Sequence, residues 1–177
     1  IQTICPLHGP ILKENLGYYI GKYMTWSSYE PEDDGVLVAY ASIHGNTKTA
    51  AEKMKEILEA KGAKKVAITD LSRDDMAEAI EDAFRYDKLV LAAASYDASV
   101  FPCMETFLNK LTNKNYQNRK IAIIENGSWA PTAARVMTGM FEKSKDITWL
   151  EHSVKIMSSL SEENEKELDA MAEELCK

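Results

Sequence analysis

The sequence predicts an α/β fold in which a doubly wound, five-stranded parallel sheet carries helices on both faces. From Gly35 onward, short apolar runs alternate with segments whose apolar residues recur at helical spacing. The runs are rich in β-branched residues and lack a polar alternation, which is typical of strands buried on both faces. Five strand–helix units in series imply right-handed crossovers and a sheet that is covered on both sides.

The predicted elements follow each other with short connections. The strands are GVLVAYA (35–41), KVAITDL (65–71), DKLVLAAAS (87–95), RKIAIIE (119–125) and a fifth within WLEHSVKIM (149–157). The helices are 46–60, 74–84, 102–111, 133–143 and a last one from 162 onward, with Ser161 as its N-cap. Pro102 suits a first helical turn, and Gly62 lies where the first of these helices is expected to stop.

Residues 1–34 do not share this pattern. They predict a tyrosine-rich helix followed by an acidic linker that contains proline, and we interpret them as an arm or the remnant of a preceding domain. Residues 35–177 form the predicted α/β domain. The chain begins with Ile1, and we therefore expect a processed or truncated product.

Composition excludes several classes of function. The net charge is −7 and the pI about 5.1, so the basic face that a nucleic-acid binder requires is not expected. No apolar run approaches the roughly 20 residues of a membrane span. Cys5, Cys103 and Cys176 lie far apart and outside any CxxC spacing, which argues against a disulfide framework or a zinc site and favours the cytoplasm.

The first loop of interest is SIHGNT, at the junction of the first strand and its helix. Its candidate binding residues are Ser42, Ile43, His44, Gly45, Asn46 and Thr47. A helix N-terminus with hydroxyl and amide side chains suits a phosphate, although an ordinary helix cap explains the same residues equally well. The patterns GxxxxGK[ST] and GxGxxG are absent, so one terminal phosphate held without an obligatory lysine or magnesium fits best.

Two further loops follow the third and fourth strands, at the same edge of the predicted sheet. Their candidate residues are Ser95, Tyr96, Asp97 and Ala98 in SYDASVFP, and Asn126, Gly127, Ser128, Trp129 and Ala130 in ENGSWAPTA. Each loop alone has a plain interpretation as a connection. Trp129, however, must cover either the core or a flat ligand, and free backbone amides are expected before Pro131. Together the three loops predict a pocket for a planar ring with a ribityl phosphate.

SIHGNT resembles the phosphate loop of flavodoxins, and the fold pattern is flavodoxin-like. AASYDASVFPCMETFLNKL and ENGSWAPTA resemble the second and third flavin loops of the flavodoxin-like module of flavodiiron proteins (A-type flavoproteins), from about Gly35 to the end of the chain. His44 and Ala94 depart from the Thr and Gly common in flavodoxins. The resemblance implies that the three loops bind FMN.

The arm is similar to the end of the metallo-β-lactamase-like domain that precedes this module in flavodiiron proteins. CPLHGPI and YIGKYMTWS carry this resemblance, which implies that His8 corresponds to an iron ligand. The chain has three histidines only, so we expect no metal site and no catalytic residue of its own. The resemblance implies an electron-transfer module that passes electrons from a rubredoxin-like donor through FMN to a diiron domain outside this chain, in a homodimeric full-length protein that reduces oxygen or nitric oxide.

Three alternatives compete with this interpretation. A free-standing flavodoxin carrier has no use for an arm of this kind. A receiver-like signalling domain needs clustered acidic residues after the first strand, where this chain has YASIHG. A quinone reductase of flavodoxin-like fold stays open, although no separate nicotinamide signature is present. The acceptor, the physiological donor and the redox potential also stay open at this stage.

Overall fold

Strands and helices alternate after an N-terminal helix, and the structure, a computed structural model, describes residues 1–177. The strands are Asp33–Ala41 (β1), Val66–Asp70 (β2), Tyr86–Tyr96 (β3), Ser99–Val100 (β4), Arg119–Asn126 (β5), Ile147–Trp149 (β6) and Val154–Ile156 (β7). The helices are Leu16–Ser27 (α1), Asn46–Ala60 (α2), Met76–Arg85 (α3), Pro102–Thr112 (α4), Ala133–Met140 (α5) and Glu162–Leu175 (α6).

The central sheet is parallel and has the order β2-β1-β3-β5-β6. Strand β7 also pairs with β5 in parallel, and the two-residue strand β4 pairs with β3 in antiparallel. The chain leaves β1 toward one edge of the sheet and returns through β3 toward the other. This reversal opens a crevice at the carboxyl ends of β1 and β3, where ligands bind in open α/β sheets.

Two separate apolar cores confirm that the sheet is doubly wound. One core lies between the sheet and helices α3, α4 and α5, and its largest fully buried side chains are Tyr116 and Phe107. The other lies between the opposite face and helices α2 and α6, around Met54 and Leu168. The strands contribute alternate residues to the two cores, which explains why their sequences are apolar throughout.

Some predicted helix boundaries move by a few residues. Helix α3 begins at Met76 because the Asp75 carboxylate accepts a first-turn amide and acts as N-cap, so the predicted start two residues earlier was wrong. Helix α5 ends at Met140 instead of residue 143, because the amides of Phe141 and Glu142 bond to carbonyls three residues back. Such bonds tighten the last turn and end the helix. Ser161 caps α6 as predicted, in a capping box.

The predicted fifth strand is two short strands. Strand β6 pairs with the first half of β5 and β7 with the second half, and the chain leaves the sheet after Leu150, whose amide still donates to the Ile121 carbonyl. The Glu174 carboxylate on α6 accepts the Glu151 amide at 3.0 Å and contacts His152 Nδ1 at 2.9 Å. The hydrogen bond with His152 lowers the pKa of Glu174. This tertiary contact draws the chain toward α6 and interrupts the strand.

The segment after β3 is a β-hairpin and not a plain loop. Tyr96 pairs with Ser99, and the two residues between them, Asp97 and Ala98, have φ values of 49° and 55°. Two successive residues at positive φ are typical of a type I′ turn, which usually requires Asn or Gly. The sequence lacks that signal, and the hairpin was therefore missed.

The arm is attached to the domain by polar contacts. Helix α1 has no buried residue, whereas the linker after it is held by the buried Arg119, whose guanidinium donates to the carbonyl oxygens of Tyr29 and Phe84. The Glu32 amide donates to the Arg85 carbonyl at 2.9 Å. Strand β1 then begins at residue 33, two residues before the predicted start.

Candidate functional site

The loops after β1, β3 and β5 enclose one cleft at the switch point of the sheet. Its first half is a cavity of about 230 Å³ that is lined by Ser42, Ile43, His44, Asn46, Thr47, Ala94, Ser95, Asn126, Gly127, Ser128 and Ser158. Its second half, of about 360 Å³, is lined by Ser95, Tyr96, Asp97, Ala98, Gly127, Ser128, Trp129, Ala130 and Thr132. Ser95, Gly127 and Ser128 belong to both halves, so the two form one elongated cleft. All the predicted site residues except Gly45 line it.

A larger cavity of about 690 Å³ lies at the opposite edge of the sheet, beside the C-terminal ends of α4 and α5. Size alone would favour it. Its walls are the loop before β5 and the loop after α5, and so it lies away from the carboxyl ends of the strands. The position rule for open α/β sheets therefore assigns the ligand to the smaller cleft.

The first half of the cleft is built on the N-terminus of α2. Gly45 adopts a φ of 92°, and its amide donates to Ser42 Oγ at 3.1 Å, which folds the loop back on itself. The first helical hydrogen bond runs from the Thr49 amide to the Gly45 carbonyl, and no side chain caps the helix. The amides of Asn46 and Thr47 therefore stay available in a region of partial positive charge, which suits an anion.

No lysine or arginine lines either half of the cleft. Lys48 follows the loop in sequence, but its ammonium group lies 3.7 Å from the Glu52 carboxylate and lines a different cavity beside Tyr40. An anion in this cleft would therefore meet amides, hydroxyls and the His44 imidazole, and no lysine or arginine side chain. This geometry agrees with the expectation of a phosphate site that needs no lysine.

The N-terminus of α5 also reaches the cleft, but protein groups already accept three of its amides. Ser95 Oγ accepts the amides of Thr132 at 2.8 Å and Ala133 at 3.1 Å, and Glu125 Oε2 accepts the Ala134 amide at 3.1 Å. Glu125 is buried and lies 3.5 Å from Lys155 Nζ. The amides of Thr132, Ala133 and Ala134 at the start of α5 thus have protein acceptors, whereas those of Asn46 and Thr47 at the start of α2 have none.

Two aromatic side chains flank the second half of the cleft. Tyr96 is 50% exposed and packs edge-on against Phe101, with ring centroids 5.8 Å apart. Trp129 is 93% exposed, so the alternative that it covers the core is wrong. A ring this exposed costs free energy in water unless something flat covers it, and the cleft beside it has room for such a group.

The third loop is held to β7 by backbone and side-chain bonds. Asn126 Nδ2 donates to the Ser158 carbonyl at 2.9 Å, and the Ser158 amide donates to Asn126 Oδ1 at 3.2 Å. Free backbone amides were expected before Pro131. The Gly127 amide is not one of them, because it donates to the Ile156 carbonyl. The amides of residues 128–130 have no protein acceptor and are therefore free, as expected for this loop.

The sequence reasoning missed Ala94, Thr132 and Ser158 as lining residues. Ser158 has a φ of 77°, and its local sequence contains no signal that predicts this conformation. Thr132 lies within ENGSWAPTA, but no role was predicted for it from the sequence. Cys103 on α4 packs against the first apolar core, and burial raises the pKa of its thiol, which keeps it protonated.

His8 is exposed on the arm, and residues 1–177 contain no group of three or more His, Cys, Asp or Glu side chains placed to hold a metal ion. The helices are also too short or too polar to cross a membrane.

A parallel sheet of this order, with a phosphate-type loop after β1 and aromatic loops after β3 and β5, defines a flavodoxin-like protein. The family described as "Flavodoxin domain" matches residues 37–157, and the chain belongs to this family. FMN is the cofactor of this domain, as predicted from the sequence.

Three known proteins show where this chain fits. An anaerobic nitric oxide reductase flavorubredoxin of Aeromonas hydrophila is 22% identical over 150 residues, which cover 84% of this chain and 30% of that protein. The flavodiiron protein of Giardia intestinalis superposes with a TM-score of 0.88 at 16% identity, over 99% of this chain and 43% of that one. The rubredoxin oxygen:oxidoreductase of Desulfovibrio gigas superposes with a TM-score of 0.86 at 17% identity, over 97% of this chain and 43% of that one.

The chain thus corresponds to the flavodoxin-like portion of such proteins. It spans about three tenths of the length of the curated relative and less than half of the two solved chains.

Proposed function

We propose that this chain is the FMN-binding electron-transfer module of a flavodiiron oxidoreductase that reduces oxygen, nitric oxide or both. The observation that carries the proposal is the free first turn of α2, which opens into the same cleft as Tyr96 and Trp129. One end of the cleft suits a phosphate and the other suits a flat ring. When bound, FMN accepts and releases electrons, and the protein supplies its position and surroundings.

The residues of the cleft then divide by task. The amides of Asn46 and Thr47 and the hydroxyl of Thr47 hold the phosphate, while Ser42 and Gly45 give the loop its shape. Ser128 and Ala130 offer backbone amides to the polar edge of the ring, and Trp129 shields one of its faces from water. Tyr96, at the end of β3, covers the ring from the hairpin side.

The remaining predicted residues complete this assignment. Ile43, His44, Ser95, Asp97, Ala98, Asn126 and Gly127 form the walls of the cleft through backbone and side-chain atoms. Asn126 and Ser95 act mainly through the loops they hold, because their polar groups already bond to protein partners. None of these side chains is required to transfer a proton, so we assign no catalytic residue.

The arm supports a module of a larger protein over a free-standing flavodoxin. Nine large apolar side chains of the arm are exposed: Ile1, Leu7, Ile11, Tyr18, Tyr19, Ile20, Tyr23, Met24 and Trp26. A soluble carrier rarely exposes so large an apolar surface, which fits a surface that more protein covers. The names of the relatives support a rubredoxin-type electron donor and a diiron partner domain as the two neighbours of FMN. We further propose a homodimeric, cytoplasmic full-length protein, and the three cysteines are free as that compartment requires.

Titration of the flavin-free protein with FMN and with riboflavin tests this function. Hydrogen bonds to a charged phosphate are worth roughly 1.5–3 kcal/mol each, so FMN is expected to bind at least about tenfold more tightly. Equal affinities would return SIHGNT to the role of a helix cap, and the absence of binding by both ligands would reject the flavin module altogether.

A further inference from the structure

A hydrogen-bond network around Thr132 connects the two loops that carry the aromatic residues of the cleft. Thr132 Oγ1 donates to the Ser99 carbonyl of the hairpin at 2.8 Å, and the Thr132 amide donates to Ser95 Oγ at 2.8 Å. Thr132 itself ends the loop that contains Trp129. One residue of the third loop therefore holds the second loop by its side chain and by its backbone.

The same point is closely packed. A Cβ atom on Gly127 would lie 3.3 Å from Ser95 Oγ and 3.3 Å from Pro131 Cα, so the third loop runs directly against β3. The Phe101 amide, at the far end of the hairpin, donates to the Ala94 carbonyl at 3.0 Å. These contacts place the hairpin and the third loop at one defined separation.

The pairing of β3 with β5 ends at Ala94 and Asn126, so beyond the sheet the two loops are connected by the contacts around Thr132 and Ser95. Trp129 is almost fully exposed, and Tyr96 contacts the hairpin's own Phe101, so neither ring is held by the core. We propose that Thr132 is a positioning residue, which sets the spacing of the two aromatic walls before a ring enters the cleft. This inference rests on the proposed flavin function.

Thr132 lines only the ring half of the cleft and not the half at the N-terminus of α2. A defect in it is expected to weaken FMN and riboflavin by the same factor, whereas a defect in the phosphate loop weakens FMN alone. Removing one net hydrogen bond corresponds to a loss of roughly three- to tenfold in both affinities.

The test compares Thr132→Val, which keeps the shape and removes the hydroxyl, with Thr132→Ser, which restores the donor. Thr138→Val on the exposed side of α5 is the matched control. We expect Thr132→Val to weaken both flavins equally and to change the visible circular dichroism of bound FMN, while Thr132→Ser and Thr138→Val behave as the unmodified protein. A loss confined to FMN, or unchanged affinities and dichroism, would overturn the proposal.

Amide exchange in the flavin-free protein separates this proposal from the proposed function. Thr132→Val is expected to speed exchange at the amides of Phe101 and Thr132, which belong to the two connected loops. Faster exchange in a protein that binds no flavin would sustain the connection and reject the flavin module. Flavin binding with unchanged exchange and affinity would reject the role of Thr132 and leave the module intact.

Discussion

Asn126 and Ser158 are joined by two reciprocal hydrogen bonds, from the Asn126 side-chain amide to the Ser158 carbonyl and from the Ser158 amide back to Asn126 Oδ1. Asn126 ends β5 and is 6% exposed, while Ser158 follows β7 in a left-handed conformation. The pair therefore holds the segment after β7 against the end of β5, which leads into the third loop.

Replacing Asn126 by Ala is expected to lower the free energy of unfolding by about 1–3 kcal/mol, because the two hydrogen bonds of this buried side chain are lost. Urea unfolding of the flavin-free protein measures this loss. Asn113→Ala, at the exposed C-cap of α4, is the control and is expected to change stability far less. Similar losses in the two variants would contradict the role given to the Asn126–Ser158 pair.

Thr47→Val tests the phosphate end of the cleft. The substitution keeps the volume of a side chain that is 2% exposed and removes its hydroxyl. We expect FMN affinity to fall by about tenfold or more with riboflavin affinity unchanged, because the lost bond is to a charged group. Thr112→Val, which also removes a helix hydroxyl but lies on α4, should leave both affinities unaltered. Equal losses for the two flavins would place Thr47 near the ring and not near the phosphate.

Two glycines give opposite predictions for the same substitution. Gly45 has a φ of 92°, where an alanine is strained although its Cβ meets no atom within 4 Å. Gly45→Ala is expected to cost about 1–2 kcal/mol of stability and to weaken FMN. Gly139 lies in α5 with ordinary φ and open space, so Gly139→Ala should gain up to about 1 kcal/mol. Thermal unfolding of both variants decides, and a stabilised Gly45→Ala protein would show that the loop tolerates another conformation.

Trp129 is expected to report flavin binding by fluorescence. The ring is exposed in the cleft without ligand, and a bound flavin beside it would quench its emission. Titration of Trp129→Phe with FMN should therefore show little of the quenching seen in the unmodified protein. Trp26→Phe on the arm lowers total emission but should keep the flavin-dependent change. Undiminished quenching in Trp129→Phe would move the ring site away from the third loop.

Tyr40 is expected to make the free energy of unfolding depend on pH in the alkaline range. Burial, with a smaller contribution from Asp70, raises the pKa of Tyr40 to about 12. Because the folded state binds this proton more tightly than the unfolded state, whose pKa is about 10, the contribution is complete below pH 10 and is lost as pH rises toward 12. Between pH 8 and pH 11, the free energy of unfolding of Tyr40→Phe should therefore fall by about 1 kcal/mol less than that of the unmodified protein, as measured by urea unfolding. Tyr18→Phe on the exposed arm should follow the unmodified protein, and parallel losses in all three would contradict the assignment.

The hydrophobic pattern was sufficient for the order of the main elements and for the position of the cleft. Apolar runs such as that around Val38 predict strands buried on both faces, and parallel strands necessarily bring their carboxyl ends to one edge. The candidate loops could therefore be placed together without coordinates. Gly45 and Ser42 were informative because a left-handed glycine and a hydroxyl beside a helix start are local requirements.

The sequence by itself determined the α/β class, the five strand–helix units and the three loops of the cleft. Periodicity and turn signals depend only on residues that are close together in the sequence. Only the tertiary structure decided that Glu174 interrupts the last strand, that Ser95 and Glu125 occupy the first turn of α5, and that Ser158 meets Asn126. These contacts join residues between 9 and 38 positions apart along the chain. Their partners are chosen by the packing of whole elements, and no local pattern in the sequence specifies that choice.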